Sequence, residues 1–464
     1  MSRQRSSRRR FLQSLAGSAA AGGLAVYWPA DRAVAADPSK AKNDRPHLAL
    51  IGAGGRGTHV AKWAAQFAEI VAVCDVDRKN AERAKAQLGD KADLYGNYQK
   101  LLQRKDVEGV INGTPDHWHT AINIAACKAG KDVYAEKPLT LTIDEGKLLR
   151  QAVRDSGQVF QVGTQQRSEK PFQTACELVR NGRIGRLKQV YVLLPFWNTK
   201  GGPFPAQPVP EGLDWDMYQG QAPLRDYCPE RTHFNYRWWF EYAGGIVCDW
   251  GQHHMDIAHW GMDVEKSGPL EIEAKADFPN GGKADCYNNP DRFVARLKYP
   301  NDVDLTYLVV RDAKYLKSMS DGDIPAAADA QLFAGLPEEL KTEQRNGIMF
   351  IGDAGRVMVN RGGVFGKAAE ELAENPLPDN AVRLGQSDDH MRNFIECMKT
   401  RAKPVTDVDI AHRVITACHL SNIAIRLERP IRWDSQAEVI VGDEEASGWL
   451  RREQRSPYGI GSSG

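Results

Sequence analysis

The sequence predicts an α/β protein in which a doubly wound parallel sheet is followed by a second, mostly antiparallel sheet. Three observations carry this. Residues 47–163 alternate short apolar runs with helical patterns, the rhythm of parallel strands joined by crossover helices. The first apolar run ends in a glycine-rich turn, Gly52-Ala53-Gly54-Gly55-Arg56-Gly57. Past Gln165, strand-like runs follow one another with few helices between them, which favours antiparallel neighbours.

The strands of the first region are expected at Leu48–Ile51, Ile70–Cys74, Val110–Asn112, Asp132–Ala135 and Val159–Val162. Helical patterns fall at Thr58–Phe67, Arg78–Leu88, Ala121–Ala129 and Ile143–Ser156. In the second region strands are expected at Leu187–Leu194, Leu270–Ala276, Arg292–Lys298, Val303–Val310, Ile348–Gly352 and Arg356–Asn360. Helices follow at His390–Lys399 and Ile410–Leu427. Residues 195–240 are rich in Pro, Gly and aromatics with little periodicity, a long ordered loop of the kind that lines sites.

The 464 residues suit two domains. These are expected at 47–165 and 166–435, with a polar surface tail at 436–464. The net charge of +1 offers no field to draw nucleic acid or a membrane surface, so a small-molecule partner is expected. The eight cysteines form no C-x-x-C pair and are expected to be free thiols.

The first 36 residues read separately. Ser7-Arg8-Arg9-Arg10-Phe11-Leu12 carries a twin arginine before a weakly apolar Ala/Gly-rich stretch, and Ala33-Val34-Ala35 offers a small-residue cleavage site. This predicts a twin-arginine export signal, a periplasmic location and a partnership with the export machinery. The stretch is too short and glycine-rich for a stable membrane span. Residues 37–46 read as a linker.

Chemistry concentrates in four places. In the glycine turn, Gly52 permits the tight bend, Gly54 clears space for a pyrophosphate and Gly57 lets helix and strand pack closely, with Arg56 beside them. Asp75 ends the next strand, 23 residues after Gly52, where an acid accepts hydrogen bonds from a ribose. This is a dinucleotide fingerprint in its required context. Asp75 favours NAD, since it repels a 2′-phosphate, while the nearby Arg78 leaves NADP possible.

Thr114, Pro115 and His119 follow another strand end and are candidates for the nicotinamide half of the cofactor. Glu136-Lys137-Pro138 stands past the end of the fourth expected strand, where ligands of open parallel sheets bind, and the Lys137–Pro138 bond is a candidate for the cis form. The run Asp249-Trp250-Gly251-Gln252-His253-His254-Met255-Asp256 places Asp249 and His253 four apart on one helix face. A metal reading with Asp249, His253, Asp256 and His259 fits no known spacing, so no metal is expected. Histidine as a base for an alcohol proton suits the rest of the chain.

With these motifs in order, the chain resembles the Gfo/Idh/MocA family of NAD(P)-dependent oxidoreductases over residues 47–435. The resemblance implies a Rossmann domain, then an α/β domain whose large, mostly antiparallel sheet commonly forms an oligomer interface. It implies catalytic Lys137, Asp249 and His253, and cofactor contacts from Gly52, Gly54, Arg56, Gly57, Asp75, Thr114, Pro115, His119, Glu136 and Gln165. Trp118, Arg167, Tyr236, Arg237 and His254 are expected in the substrate pocket. The implied activity is hydride transfer between a sugar or polyol secondary alcohol and a tightly bound nicotinamide. Two alternatives are redox-neutral glycoside cleavage by oxidation and elimination, and a non-catalytic sugar-binding module.

Overall fold

The computed structural model describes residues 45–197, 199–310, 346–385 and 387–460. The expected export signal and most of the linker lie outside the described residues.

Six strands form the first sheet: β1 (His47–Ile51), β2 (Glu69–Cys74), β3 (Asp93–Tyr95), β4 (Gly109–Asn112), β5 (Asp132–Ala135) and β6 (Phe160–Val162). All pair in parallel in the order β3-β2-β1-β4-β5-β6. This is the doubly wound arrangement, with its switch point between β1 and β4. The crossovers include α1 (Gly55–Ala64), α2 (Arg78–Gln87), α3 (Asp116–Lys128) and α4 (Ile143–Ser156). The short edge strand β3 and a helical turn at Tyr98–Leu102 escaped the sequence reading, since neither is long enough to show a period. Helix α3 starts five residues before the expected Ala121. Its first turn, Asp116 to His119, is polar or aromatic yet fully buried, so the apolar stripe that marks a surface helix is missing.

The second sheet has nine strands, in the order β13-β12-β11-β7-β10-β9-β8-β14-β15. They are β7 (Leu187–Pro195), β8 (Glu271–Asp277), β9 (Arg292–Lys298), β10 (Asp304–Val310), β11 (Gly347–Gly352), β12 (Arg356–Asn360), β13 (Gly363–Phe365), β14 (Ile431–Asp434) and β15 (Val439–Ile440). β7 and β10 run parallel, and among the described residues the other pairings of this sheet are antiparallel. Four further helices, α5 (Lys170–Arg180), α6 (Gly245–Asp249), α7 (Gly251–Met262) and α9 (Val408–Leu427), accompany this sheet, and α8 (His390–Thr400) stands apart from it. α5, α7 and α9 lie against the sheet through β12, β7 and β8.

The two sheets are not separate bodies, because residues 39–464 cluster as one compact unit. α9 packs on both β8 and α4. α8 lies within the stretch expected to be the second domain, yet Met391, Phe394 and Ile395 join the core formed by Leu48, Val60 and Tyr134 of the first. The tail from 436 is also less superficial than its polarity predicts. Ala446 and Leu450 are buried, and Tyr458 sets its ring edge-on to Trp118 at 5.7 Å.

The glycine turn explains itself sterically. Gly52 has φ +85°, and a Cβ there would meet Thr114 N at 2.5 Å. A Cβ on Gly57 would collide with the Gly52 carbonyl oxygen. Gly57→Ala is therefore expected to lower stability by about 1–3 kcal/mol. Urea unfolding checks this, as a lower midpoint with an unchanged slope.

Candidate functional site

A cavity of about 780 Å³ opens at the carboxyl ends of the first sheet and is closed on its far side by the second region. Gly52, Gly54 and Arg56 line it from the first turn, Asp75 from the end of β2, Thr114 and Pro115 from the end of β4, and Glu136 and Lys137 from the end of β5. From the other side come Tyr236, Arg237, Asp249 and His253. Gln165 and Trp118 also line it. The cavity thus gathers fourteen of the eighteen site residues expected from sequence.

The nucleotide end is built from backbone. At Gly54 and Gly55 a Cβ would project into open space, so these positions shape a cradle that side chains would fill. Helix α1 begins there with Gly54 as its N-cap and no side-chain cap, leaving N–H groups for an anion. Asp75 accepts from Ala53 N at 2.7 Å and from Asp77 N at 2.8 Å. Burial nonetheless raises its carboxyl to about 6, against the pull of those two donors. Arg78 turns away to Glu82 at 3.6 Å, while Lys79 and Arg83 line this end of the cavity. Glu136 Oε2, Gln165 Oε1 and His253 Nδ1 are buried without a hydrogen-bond partner among the described residues. Buried polar atoms are normally satisfied, so these three point to a bound polar molecule. The residues present fit a dinucleotide.

The reactive end rests on one ion pair. Lys137 Nζ donates to Asp249 Oδ1 at 3.0 Å and to the Asp249 carbonyl at 2.7 Å. The Lys137–Pro138 peptide is cis. Arg237 Nε donates to the same Oδ1 at 3.1 Å. Burial alone would raise the Asp249 carboxyl, but Lys137 and Arg237 together outweigh it and hold it at about 2. The His253 ring is held well below its ordinary value, first by burial and then by Lys137 and Arg361, so it is neutral. Asp249 and His253 share the cavity wall, yet no hydrogen bond joins them among the described residues. The acid anchors Lys137 rather than the imidazole. Glu136 pairs with Arg56 at 2.8 Å, fixing the floor between the two ends.

Four expected site residues lie off the cavity. Arg167 is fully buried with a two-pronged bond to Asp256 at 2.8 and 2.7 Å and a third to Glu265 at 2.6 Å. Its charge is spent inside the fold, so it is not a substrate ligand. His254 is buried against Gln166, 3.4 Å from its Oε1. His119 turns both ring nitrogens to carbonyls, of Pro138 at 2.5 Å and Thr114 at 2.8 Å, and so braces two cavity segments from behind. Gly57 serves helix packing only. Two residues that do line the cavity are already occupied at their polar ends. Tyr236 gives its hydroxyl to Asp116 at 2.7 Å, and Trp118 gives its indole N–H to Met217 and Tyr218 carbonyls.

The sequence reading missed part of the wall. Trp197, Phe234, Trp238 and Trp250 line the cavity, with Trp197 5.5 Å from Phe234 and 6.0 Å from Trp238 between ring centres. The aromatic density of 195–240 was the signal for three of them. Arg361, at the β12–β13 turn, also lines the cavity and carries no such signal. The same loop roofs the nucleotide end. Arg78 N donates to Gly212 O at 2.9 Å, Asp214 N donates to Val76 O at 3.0 Å, and His233 stands 3.4 Å from Asp77. The tail pins the roof from outside, where Arg455 and Tyr458 both bond Asp216 at 2.7 Å.

Comparison with known proteins agrees with this geometry. Residues 47–164 match the NAD-binding Rossmann fold of the GFO_IDH_MocA oxidoreductase family. Residues 191–288 and 354–460 match that family's C-terminal alpha/beta domain. The scyllo-inositol 2-dehydrogenase (NAD(+)) of Bacillus subtilis (strain 168) is 25% identical over 368 residues, 78% of this chain and 89% of that protein. The inositol 2-dehydrogenase of Salmonella typhimurium is 32% identical over 124 residues, 26% of this chain and 37% of that protein. Among solved structures, the WlbA dehydrogenase from Bordetella pertussis in complex with NADH and UDP-GlcNAcA shares the fold. Its TM-score is 0.58 at 20% identity, over 84% of this chain and 99% of that one.

Two outcomes are expected from the site's electrostatics. Arg167→Ala strands Asp256 and is expected to cost about 3–5 kcal/mol of stability, measured by chemical denaturation. Ionised Asp75 is the better acceptor for ribose hydroxyls, so nucleotide retention is expected to hold at pH 7.5 and to weaken as pH falls through about 6. Gel filtration at each pH, followed by assay of the nucleotide left on the protein, checks this, and Asp75→Asn is expected to flatten the dependence.

Proposed function

The chain belongs to the Gfo/Idh/MocA oxidoreductase family with its NAD-binding Rossmann domain, and on that premise we propose that it oxidises or reduces a sugar or polyol at a secondary alcohol. The observation that carries this is the convergence of the Lys137 amine and the His253 imidazole on one cavity, from opposite sides of the cleft. When bound, NAD supplies the hydride acceptor or donor. The protein supplies position and electrostatics.

Lys137 is a fixed donor, since Asp249 holds its Nζ from two directions. It hydrogen-bonds the substrate oxygen and stabilises the charge that develops there. His253 is neutral and accepts the hydroxyl proton. Arg237 shares Asp249 with Lys137, which keeps the carboxylate from taking the proton itself. Trp197 and Phe234, which line the cavity, keep 37% and 51% of their surface exposed, an unusual exposure for such large rings. That wall suits the apolar face of a sugar ring.

The roof supports a tightly held nucleotide. It is tied to Val76 and Arg78 beside the ribose-binding acid, and the tail locks it down. Such retention goes with export by the twin-arginine route to the periplasm, where free NAD is scarce. Assembly as a homo-oligomer through the nine-stranded sheet completes the reading.

Three measurements test this. Denaturing the purified protein is expected to release NAD or NADH in near-stoichiometric amount. Lys137→Met and His253→Gln are each expected to lower kcat by roughly 10²–10⁴-fold with the nucleotide still bound, and near-wild-type turnover in either variant removes the assigned role. The direction of the His253 shift sets the pH profile. The imidazole must be unprotonated to act as base, so kcat for oxidation is expected to persist below about pH 6.5, the ordinary histidine value, and to fall only at lower pH.

A further inference from the structure

The charges at the reactive end do not cancel. Glu136 is matched by Arg56, and Asp249 stands between two cations, Lys137 and Arg237. Arg361 adds another positive charge to the same cavity. Its guanidinium lies 4.9 Å from the centre of the Trp250 ring, and Trp250 in turn meets the His253 ring edge-on at 6.1 Å. Arg361 makes no hydrogen bond or ion pair among the described residues. Glu169 pulls on its charge without pairing with it, and burial raises the Glu169 carboxyl itself. Arg361 is an exposed residue on the cavity wall, and partial burial of the guanidinium, with the nearby Arg56, disfavours its cation, so an incoming anion is favoured there.

The nucleotide's phosphates do not require this arginine. The glycine cradle offers them the free N–H groups at the start of α1, whereas Arg361 leans on Trp250 next to His253. A planar guanidinium presents parallel donors that match a carboxylate.

Resting on the oxidoreductase reading above, we propose that Arg361 receives a carboxylate carried by the substrate, so that the preferred substrate is a sugar acid rather than a neutral sugar. The Trp250 face holds the guanidinium in place while the aromatic wall takes the ring.

The test uses the holoenzyme with three matched pairs: D-glucuronate and D-glucose, D-galacturonate and D-galactose, D-gluconate and D-glucitol. Reduction of the bound nucleotide is followed at 340 nm, and ligand-induced change in Tm is followed in parallel. In at least one pair the acid is expected to be preferred on the order of ten- to a hundredfold in the second-order rate constant for single-turnover reduction of the bound nucleotide. Arg361→Gln is expected to erase most of that ratio through weaker substrate binding, seen as a higher half-saturating concentration, and Arg361→Lys to keep part of it. Equal or better use of the neutral member in every pair overturns the proposal and leaves the oxidoreductase reading intact. If no sugar of either kind changes the nucleotide, that reading fails, and the Tm data decide the role of Arg361. An acid that raises Tm for wild type but not for Arg361→Gln upholds it, and no such difference overturns it. Loss of bound nucleotide from Arg361→Gln also overturns it, because the arginine would then serve the cofactor.

Discussion

The ion pair between Lys137 and Asp249 is the contact on which the site depends. It joins the end of β5 to the end of α6, two segments 112 residues apart in sequence. The pair is mostly withdrawn from water, so neither partner can leave without stranding a charge. Arg237 makes the arrangement asymmetric, since one carboxylate answers two cations and the lysine is held without being fully neutralised. The turn that carries Lys137 is secured from several sides. Leu139 N donates to Gln252 Oε1 at 2.7 Å, His119 meets the Pro138 carbonyl, and Glu136 is tied to Arg56. A reactive amine is thus placed by helices and turns from both regions of the chain, which is how a cleft holds a geometry finer than either side alone would impose.

Behind the cavity runs a buried polar seam that serves the same end. The Asn112 side chain donates from Nδ2 to Asn123 and accepts at Oδ1 from both Thr114 N and Thr114 Oγ1. His117 meets the Tyr218 carbonyl at 2.9 Å, coupling α3 to the roof. Burial drops the His117 pKa to about 4, so this ring stays neutral while it braces the loop. Polar residues are placed inside here because the roof has little regular structure, and its backbone groups must find partners among side chains.

How far the sequence disclosed this depends on the range of the interactions. β1, β2, β5 and α4 were legible because their periods and flanking glycines are local signals, and the observed bounds differ from the expected ones by a residue at most. The glycine turn, Lys137, Asp249 and His253 were legible because each belongs to a short motif. Short elements such as β3 were missed for want of a period, while the errors at the site involve distant partners. Arg167 looked like a ligand because nothing near it in sequence reveals that Asp256 and Glu265 fold onto it. Asp249 looked like a partner of His253 because they are four apart, but Lys137 and Arg237 outcompete the ring for its oxygen. α8 was assigned to the second domain by position, and nothing local announces that it also packs on the first sheet's core, with Phe394 against Tyr134. Arg361 sits in a turn whose own sequence, Asn-Arg-Gly-Gly, says hairpin and nothing more.

The roof and the charge imbalance bear on each other. Backbone bonds to Val76 and Arg78, with the tail fastened over Asp216, close the nucleotide end of the cavity. The reactive end stays accessible through the exposed rings of Trp197 and Phe234. On the proposed reading, a nucleotide enclosed in this way is not exchanged at each turnover, so its redox state must be restored where the substrate reacted. Donor and acceptor then occupy the same place in succession, and both must satisfy Lys137 and His253 through one hydroxyl or carbonyl oxygen. Discrimination between them has to come from groups that do not touch that oxygen. The aromatic wall and Arg361 are such groups, one reading ring shape and the other reading charge, so a single catalytic pair can serve two different molecules without being rebuilt between them.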